Sequence, residues 1–177
     1  THDRRELLIE RCLKSILAQT YKNFEIIVVA HGCTDGTEVA ALGLRDKRIR
    51  VIWIPREQTY PPTLENHWFA GRVAASNVGL DNCRGAYIAT LDDDDEWLPD
   101  SLESLLRFAQ RHGYEFVSAG SENQSGKIPP YDVDGVKIGG IGTWLYRSYL
   151  KSFKFNPDCW RRTTDRVCDT ELQARFV

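Results

Sequence analysis

Short β-branched runs alternate with amphipathic stretches along the first two thirds of the chain. From Arg4 to Gln19, Ile9, Leu13, Ile16 and Leu17 form one helical stripe, with Arg5, Glu10 and Lys14 elsewhere around the axis. Phe24 to Ala30 is a nearly continuous apolar run, the pattern of a strand covered on both faces. Asp35 with Glu38 three positions later predicts a capping box and a short helix through Leu42. Ile49 to Ile54 predicts a second strand, Pro55 to Pro62 a polar loop, and Leu64 to Leu80 a helix interrupted at Gly71. Tyr87 to Leu91 is the third buried run, and it stops at Asp92. Asp100 and Glu103 predict a cap for a helix carrying Leu102, Leu105, Leu106 and Ala109, and Glu115 to Ala119 reads as a fourth strand. This alternation predicts the α/β class, with a mostly parallel sheet flanked by helices.

The pattern changes after Gly120. Ser121 to Gly126 is turn-like, Val136 to Tyr149 is strand-prone around its glycines, Asn156 to Thr164 is irregular, and Asp169 to Val177 can start a helix. Residues 1–120 and 121–177 are therefore expected to be two parts of one domain. The chain opens on a loop-like Thr1-His2-Asp3 before its first helix, whereas a sheet of this kind normally begins with a strand. That first strand is expected to lie upstream of Thr1.

Composition narrows the function classes. The 177 residues are 42% apolar and 27% charged, with a net charge of −2, which is ordinary for a folded domain and argues against nucleic acid as a partner. No apolar run approaches the ~18 residues of a membrane span, and no leader is apparent. The five cysteines are scattered and form no C-x-x-C pair, so reduced thiols in a cytoplasmic protein are expected. Residues 127–177 carry a local excess of bases.

The sharpest chemical feature is Asp92-Asp93-Asp94-Asp95-Glu96, placed directly after a buried strand. Adjacent carboxylates repel one another, and a solvated charge run is the plain explanation for acids in a loop. Position favours a different one: in open α/β sheets, ligands bind outside the carboxyl ends of the strands. Carboxylates two apart at such an end can converge on a hard divalent ion, Mg²⁺ or Mn²⁺, which shares oxygen ligands with a phosphate. A calcium EF-hand is excluded because its sixth loop position, normally glycine, is Trp97. No P-loop, G-x-G-x-x-G or G-x-S-x-G motif is present, and the four histidines show no i, i+4 pairing.

Taken together, these residues resemble the inverting family 2 glycosyltransferases of GT-A fold, a Rossmann-like α/β architecture. The likeness spans nearly the whole chain. It runs from Thr1-His2-Asp3-Arg4 and Leu13 to Thr20 through Phe24 to Val29, Gly32 to Thr37 and Ala75 to Leu80. It culminates in Gly85 to Leu91, then Asp92-x-Asp94-Asp95 and Trp97-Leu98-Pro99-Asp100. The resemblance implies a nucleotide-sugar donor, a glycan or other hydroxyl acceptor, and a role in building polysaccharide or related glycans. It also implies that Asp92 and Asp94, with Asp95 as a third candidate, bind a divalent cation bridging the donor diphosphate. Asp169, in Cys168-Asp169-Thr170-Glu171-Leu172, matches the family's general base, although a helix N-cap is an equally compatible role.

The same resemblance draws donor contacts from Thr1, His2, His31, Asp35, Arg72, Asn77 and Asp93. It makes residues 1–120 the nucleotide-sugar half and residues 121–177 the acceptor and base segment. Arg147, Arg161 and Arg162 are candidates to assist the leaving group. Trp144 and Trp160 are either a sugar-stacking wall or buried aromatics. Two positions depart from the family pattern. Ala30-His31 replaces an Asp-Asp pair that recognises the nucleobase, and Ser76 replaces an arginine, for which Arg72 one turn earlier is a substitute. Sugar-phosphate nucleotidyl transfer and a non-catalytic nucleotide-binding role remain as alternatives.

Overall fold

The computed structural model describes residues 1–133, 135–163 and 166–176. Thr164 and Val177, the ends of two segments delimited above, lie outside the described residues. The first helix, α1 (residues 5–17), runs from Arg5–Leu7 through a widened π stretch, Leu8–Leu13, into Lys14–Leu17. That wider turn moves the buried stripe onto Leu8, Cys12, Leu13 and Ile16, leaving Ile9 and Leu17 only partly covered.

Strand β1 (Ile26–His31) pairs in parallel with β2 (Ile49–Ile54), joined through α2 (Thr37–Gly43). Along the other edge of β1, Thr1 N donates to Val29 O at 3.0 Å and His31 N donates to Thr1 O at 2.9 Å, the slanted pattern of a parallel ladder. The predicted capping box does not form. Asp35 caps from one position further out, accepting from Thr37 N at 3.0 Å, and Glu38 does not reciprocate.

The long helix expected from Leu64 to Leu80 is two helices, α3 (Leu64–Ala70) and α4 (Val73–Asn82), divided at Gly71-Arg72. Strands β3 (Tyr87–Ala89) and β4 (Phe116–Ser118) flank α5 (Ser101–His112) in sequence. They do not pair with each other. Two short hairpins follow, β5 (Ser121–Asn123) with β6 (Gly126–Ile128) and β7 (Tyr131–Val133) with β8 (Val136–Ile138). Then β9 (Trp144–Arg147) enters between β3 and β4, antiparallel to both.

The sheet is therefore parallel at β1–β2 and antiparallel at β3–β9–β4, with no ladder joining the two groups among the described residues. Alternation within β9 explains the insertion. Trp144 and Tyr146 enter a core shared with Ile138, Phe155 and Leu172, while Leu145 enters a second core with Leu105, Ala109 and Val117. Gly139, just upstream, admits no side chain: a Cβ would lie 2.0 Å from Ala119 O. Its carbonyl accepts from Trp144 Nε1 at 2.8 Å and from Gln173 Nε2 at 3.1 Å, which ties β9 to the last helix, α6 (Cys168–Phe176).

Asp100 does not cap α5 through a backbone N–H. Fully buried Gln19 does so instead, accepting from Leu102 N at 3.0 Å while its amide donates to Leu98 O at 2.7 Å and Ser15 O at 3.2 Å. Glu103 turns away to accept from Thr20 Oγ1. One side chain thus fastens the end of α1 to the segment downstream of the acid run. Gln19→Leu leaves the buried Leu102 N–H without its partner, removes one bond each from Leu98 O and Ser15 O, and is expected to cost about 1–3 kcal/mol, measured by urea unfolding.

Candidate active site

Beyond β3 the chain leaves the sheet through Thr90 and Leu91 into the acid run. Thr90 Oγ1 donates to Ile141 O at 2.9 Å, and beyond the run Trp97 Nε1 donates to Gly142 O at 2.6 Å. Trp97 N also donates to Ser15 Oγ at 3.1 Å. The run is therefore fastened at both ends, with a turn closed by Asp95 N donating to Asp92 O at 3.2 Å. It opens into a cavity of about 2760 Å³ that extends between β1 and β3 and is also lined by His31, Arg72 and Asp169.

Each acid has a distinct environment. Asp92 is gripped by both terminal nitrogens of Arg72. Burial nevertheless pushes its carboxyl above the usual range; Arg72 opposes that, and Asp94 and Asp93 reinforce it. Asp93 and Asp94 share Arg4 Nη1, at 3.1 and 2.8 Å. Asp95 is exposed, and its carboxyl is raised by partial desolvation and then by Asp92 and Asp94. The charge reaches inward as well: burial, helped by Asp93 and Asp92, pushes the Cys12 thiol up to about 12. Oxygen-only donors whose ionised forms are disfavoured by one another suit the chemistry of a hard divalent cation, which removes that mutual repulsion, although among the described residues no three of these carboxylates lie within 4.8 Å of one another.

The remaining sequence candidates fall into two groups. His31 ends β1; burial, helped by Arg56, lowers its pKa, and its Nε2 is buried without a protein partner, as is Thr1 Oγ1. Asp169 lies one residue inside α6, so it is not the N-cap; its Oδ1 accepts from Thr170 N at 2.8 Å. His2 directs Nδ1 to His31 O at 2.9 Å.

Other candidates are committed to the fold. Asp35 accepts from Arg5 N, Thr37 N and Thr37 Oγ1, fixing two helix starts. Asn77 exchanges two 2.9 Å bonds with the Phe155 backbone, clamping the C-terminal segment onto α4. Trp144 is fully buried between Phe116 and Phe176 and is no sugar wall, while Trp160 is partly buried with Arg161 stacked 4.4 Å from its ring centre. Arg147 stacks on Tyr87, and Arg161 and Arg162 pair with Asp158 and Glu65. Arg4 and Trp97 went unassigned in the sequence. Each stands within a sequence motif, but its partners come from distant segments.

A family model described as Glycosyl transferase family 2 matches residues 1–169. An uncharacterized glycosyltransferase of Rickettsia conorii is 36% identical over 118 residues, covering 65% of this chain but only 17% of that relative. Residues 1–349 of S. aureus TarS, solved in complex with UDP-GlcNAc, superpose with a TM-score of 0.68 at 20% identity, over 88% of this chain and 46% of that one. A mannosyltransferase of Pyrobaculum calidifontis, solved with GDP-Man and Mn²⁺, gives 0.67 at 17% identity, over 97% and 48%. The chain thus spans less than half the length of each of these relatives.

Proposed function

Because the chain belongs to glycosyl transferase family 2, we propose that it transfers a sugar, with inversion, from a nucleoside diphosphate to an acceptor hydroxyl, assisted by Mn²⁺ or Mg²⁺. The acid run at the carboxyl end of β3, opening into the same cavity as Asp169, carries this assignment. Asp92, Asp94 and Asp95 would hold the ion, which when bound neutralises charge developing on the departing diphosphate. Arg72 and Arg4, already beside these carboxylates, lie where they can donate to the diphosphate oxygens, with Asp93 keeping Arg4 in place. His31 Nε2 and Thr1 Oγ1 are buried polar atoms that lack protein partners, and the nucleotide supplies them.

Asp169 accepts the proton of the acceptor hydroxyl as that oxygen attacks the anomeric carbon. The bond from this carbon to the diphosphate oxygen breaks on the opposite face, and the nucleoside diphosphate departs. Residues 1–120 supply the donor side and residues 121–177 the base and acceptor side. The five cysteines are all free, which suits a reducing, cytoplasmic compartment. Among the described residues no helix is long and apolar enough to cross a membrane.

Thermal unfolding with UDP or GDP, each with and without Mn²⁺, tests the donor site, because a ligand selective for the folded form raises stability by mass action. One nucleotide is expected to stabilise the protein only with the ion present. Release of free nucleoside diphosphate supports glycosyl transfer. Pyrophosphate would indicate nucleotidyl transfer, and binding without turnover of any donor a non-catalytic relative. Arg4→Gln removes a competing cation from Asp94. It is expected to tighten Mn²⁺ binding without nucleotide by about two- to fivefold, the scale of a half-exposed ion pair, as read by calorimetry.

A further inference from the structure

We propose that His2, Asp3 and Cys33 form a second metal site, separate from the carboxylate run, for a borderline-soft divalent transition ion, Zn²⁺ above all. One ligand atom from each of the three lies within 4.8 Å of the others. Their chemistry differs from that of the acid run. Imidazole, carboxylate and thiol make a nitrogen, oxygen and sulfur set that suits Zn²⁺ and disfavours Mg²⁺.

Two of the three ligands already have the supporting contact that metal ligands require. His2 Nδ1 lies 2.9 Å from His31 O, so that nitrogen carries the hydrogen and Nε2 offers its lone pair. His2 Nε2 faces Asp3 Oδ2 at 3.8 Å. Asp3 Oδ1 accepts from Thr34 N at 2.7 Å, and Oδ2 accepts a longer bond from Thr34 Oγ1 at 3.3 Å, which holds the carboxylate while a second lone pair of Oδ2 stays available to the cluster. Cys33 is buried, its sulfur 3.5 Å from Thr1 O, whereas His2 and Asp3 are 36% and 37% exposed at their side chains. The group is thus closed on the sulfur side and open to solvent where a fourth ligand, water, completes a tetrahedron.

With bonds of about 2.0–2.3 Å, tetrahedral ligands stand roughly 3.3–3.6 Å apart. The His2–Asp3 pair, at 3.8 Å, is near that spacing, and the sulfur, no more than 4.8 Å from either, is within reach of it by side-chain rotation. On binding, the Cys33 thiol loses its proton to solvent and the thiolate sulfur ligates the ion. A plain His–Asp ion pair beside an inert core thiol is the competing account. It predicts no bond from sulfur to any metal.

Cobalt(II) reports that bond directly through thiolate-to-metal charge-transfer absorption. The chelator-treated full chain is expected to develop this band with one equivalent of Co²⁺ and to lose it when Zn²⁺ is added. Cys33→Ser should abolish the band and weaken Zn²⁺ binding at least tenfold, and His2→Gln should weaken binding by 10- to 100-fold, with melting of the metal-free variants near that of the parent. Asp94→Asn should leave the band intact, since that carboxylate belongs to the other site. No band in the parent chain, a band that survives Cys33→Ser, or one lost in Asp94→Asn would each overturn the proposal. None of these outcomes depends on sugar transfer.

Discussion

Replacing Asp94 by asparagine is expected to slow sugar transfer by about 10³-fold, the several kcal/mol of transition-state stabilisation that a Lewis-acidic ion supplies. The substitution keeps the shape of the side chain and removes its charge. Asp94 is 48% exposed at its side chain, and Arg4 retains Asp93 as a partner. Folding stability should therefore stay within about 0.5 kcal/mol of the parent. Release of nucleoside diphosphate at saturating Mn²⁺ measures the rate, and the Mn²⁺-dependent part of the nucleotide-induced rise in melting temperature should shrink in parallel. Undiminished transfer by this variant would remove the acid run from the chemistry.

Asp169→Asn should behave differently. Loss of a general base lowers the rate by about 10²–10⁴-fold. Because Asp169 comes from α6 and not from the β3 loop, the metal-dependent stabilisation by nucleotide should be unchanged. A variant that binds and turns over normally would assign the base to another group, and one that loses nucleotide binding would give Asp169 a structural role.

The elements that follow from local periodicity were legible in the sequence. The β1 and β2 runs and the helix over 101–112 each depend on neighbours within a few positions, whereas β3 ends at Ala89, short of the expected Leu91. Contacts between distant segments were not. Gln19 caps α5 from more than eighty residues away, so the local Asp100 signal pointed to the wrong residue. Asn77 and Asp35 stand inside family motifs, yet their polar atoms are taken up by the chain's own backbone. Trp144 was open to two readings because an aromatic in a strand-prone stretch suits either a core or a wall. Its position within a strand flanked on both edges decides for the core. The acid run was identified from its place after a buried strand, whereas Arg4 and Arg72 became its partners only in three dimensions.

The position of β9 also has a consequence for synthesis on the ribosome. Strands β3 and β4 have no direct ladder to each other, so neither gains its neighbour until residues 144–147 have left the exit tunnel. Until then the apolar edge of the nascent sheet stays uncovered, and nascent chains stalled before that point should recruit chaperones more strongly than those stalled after it.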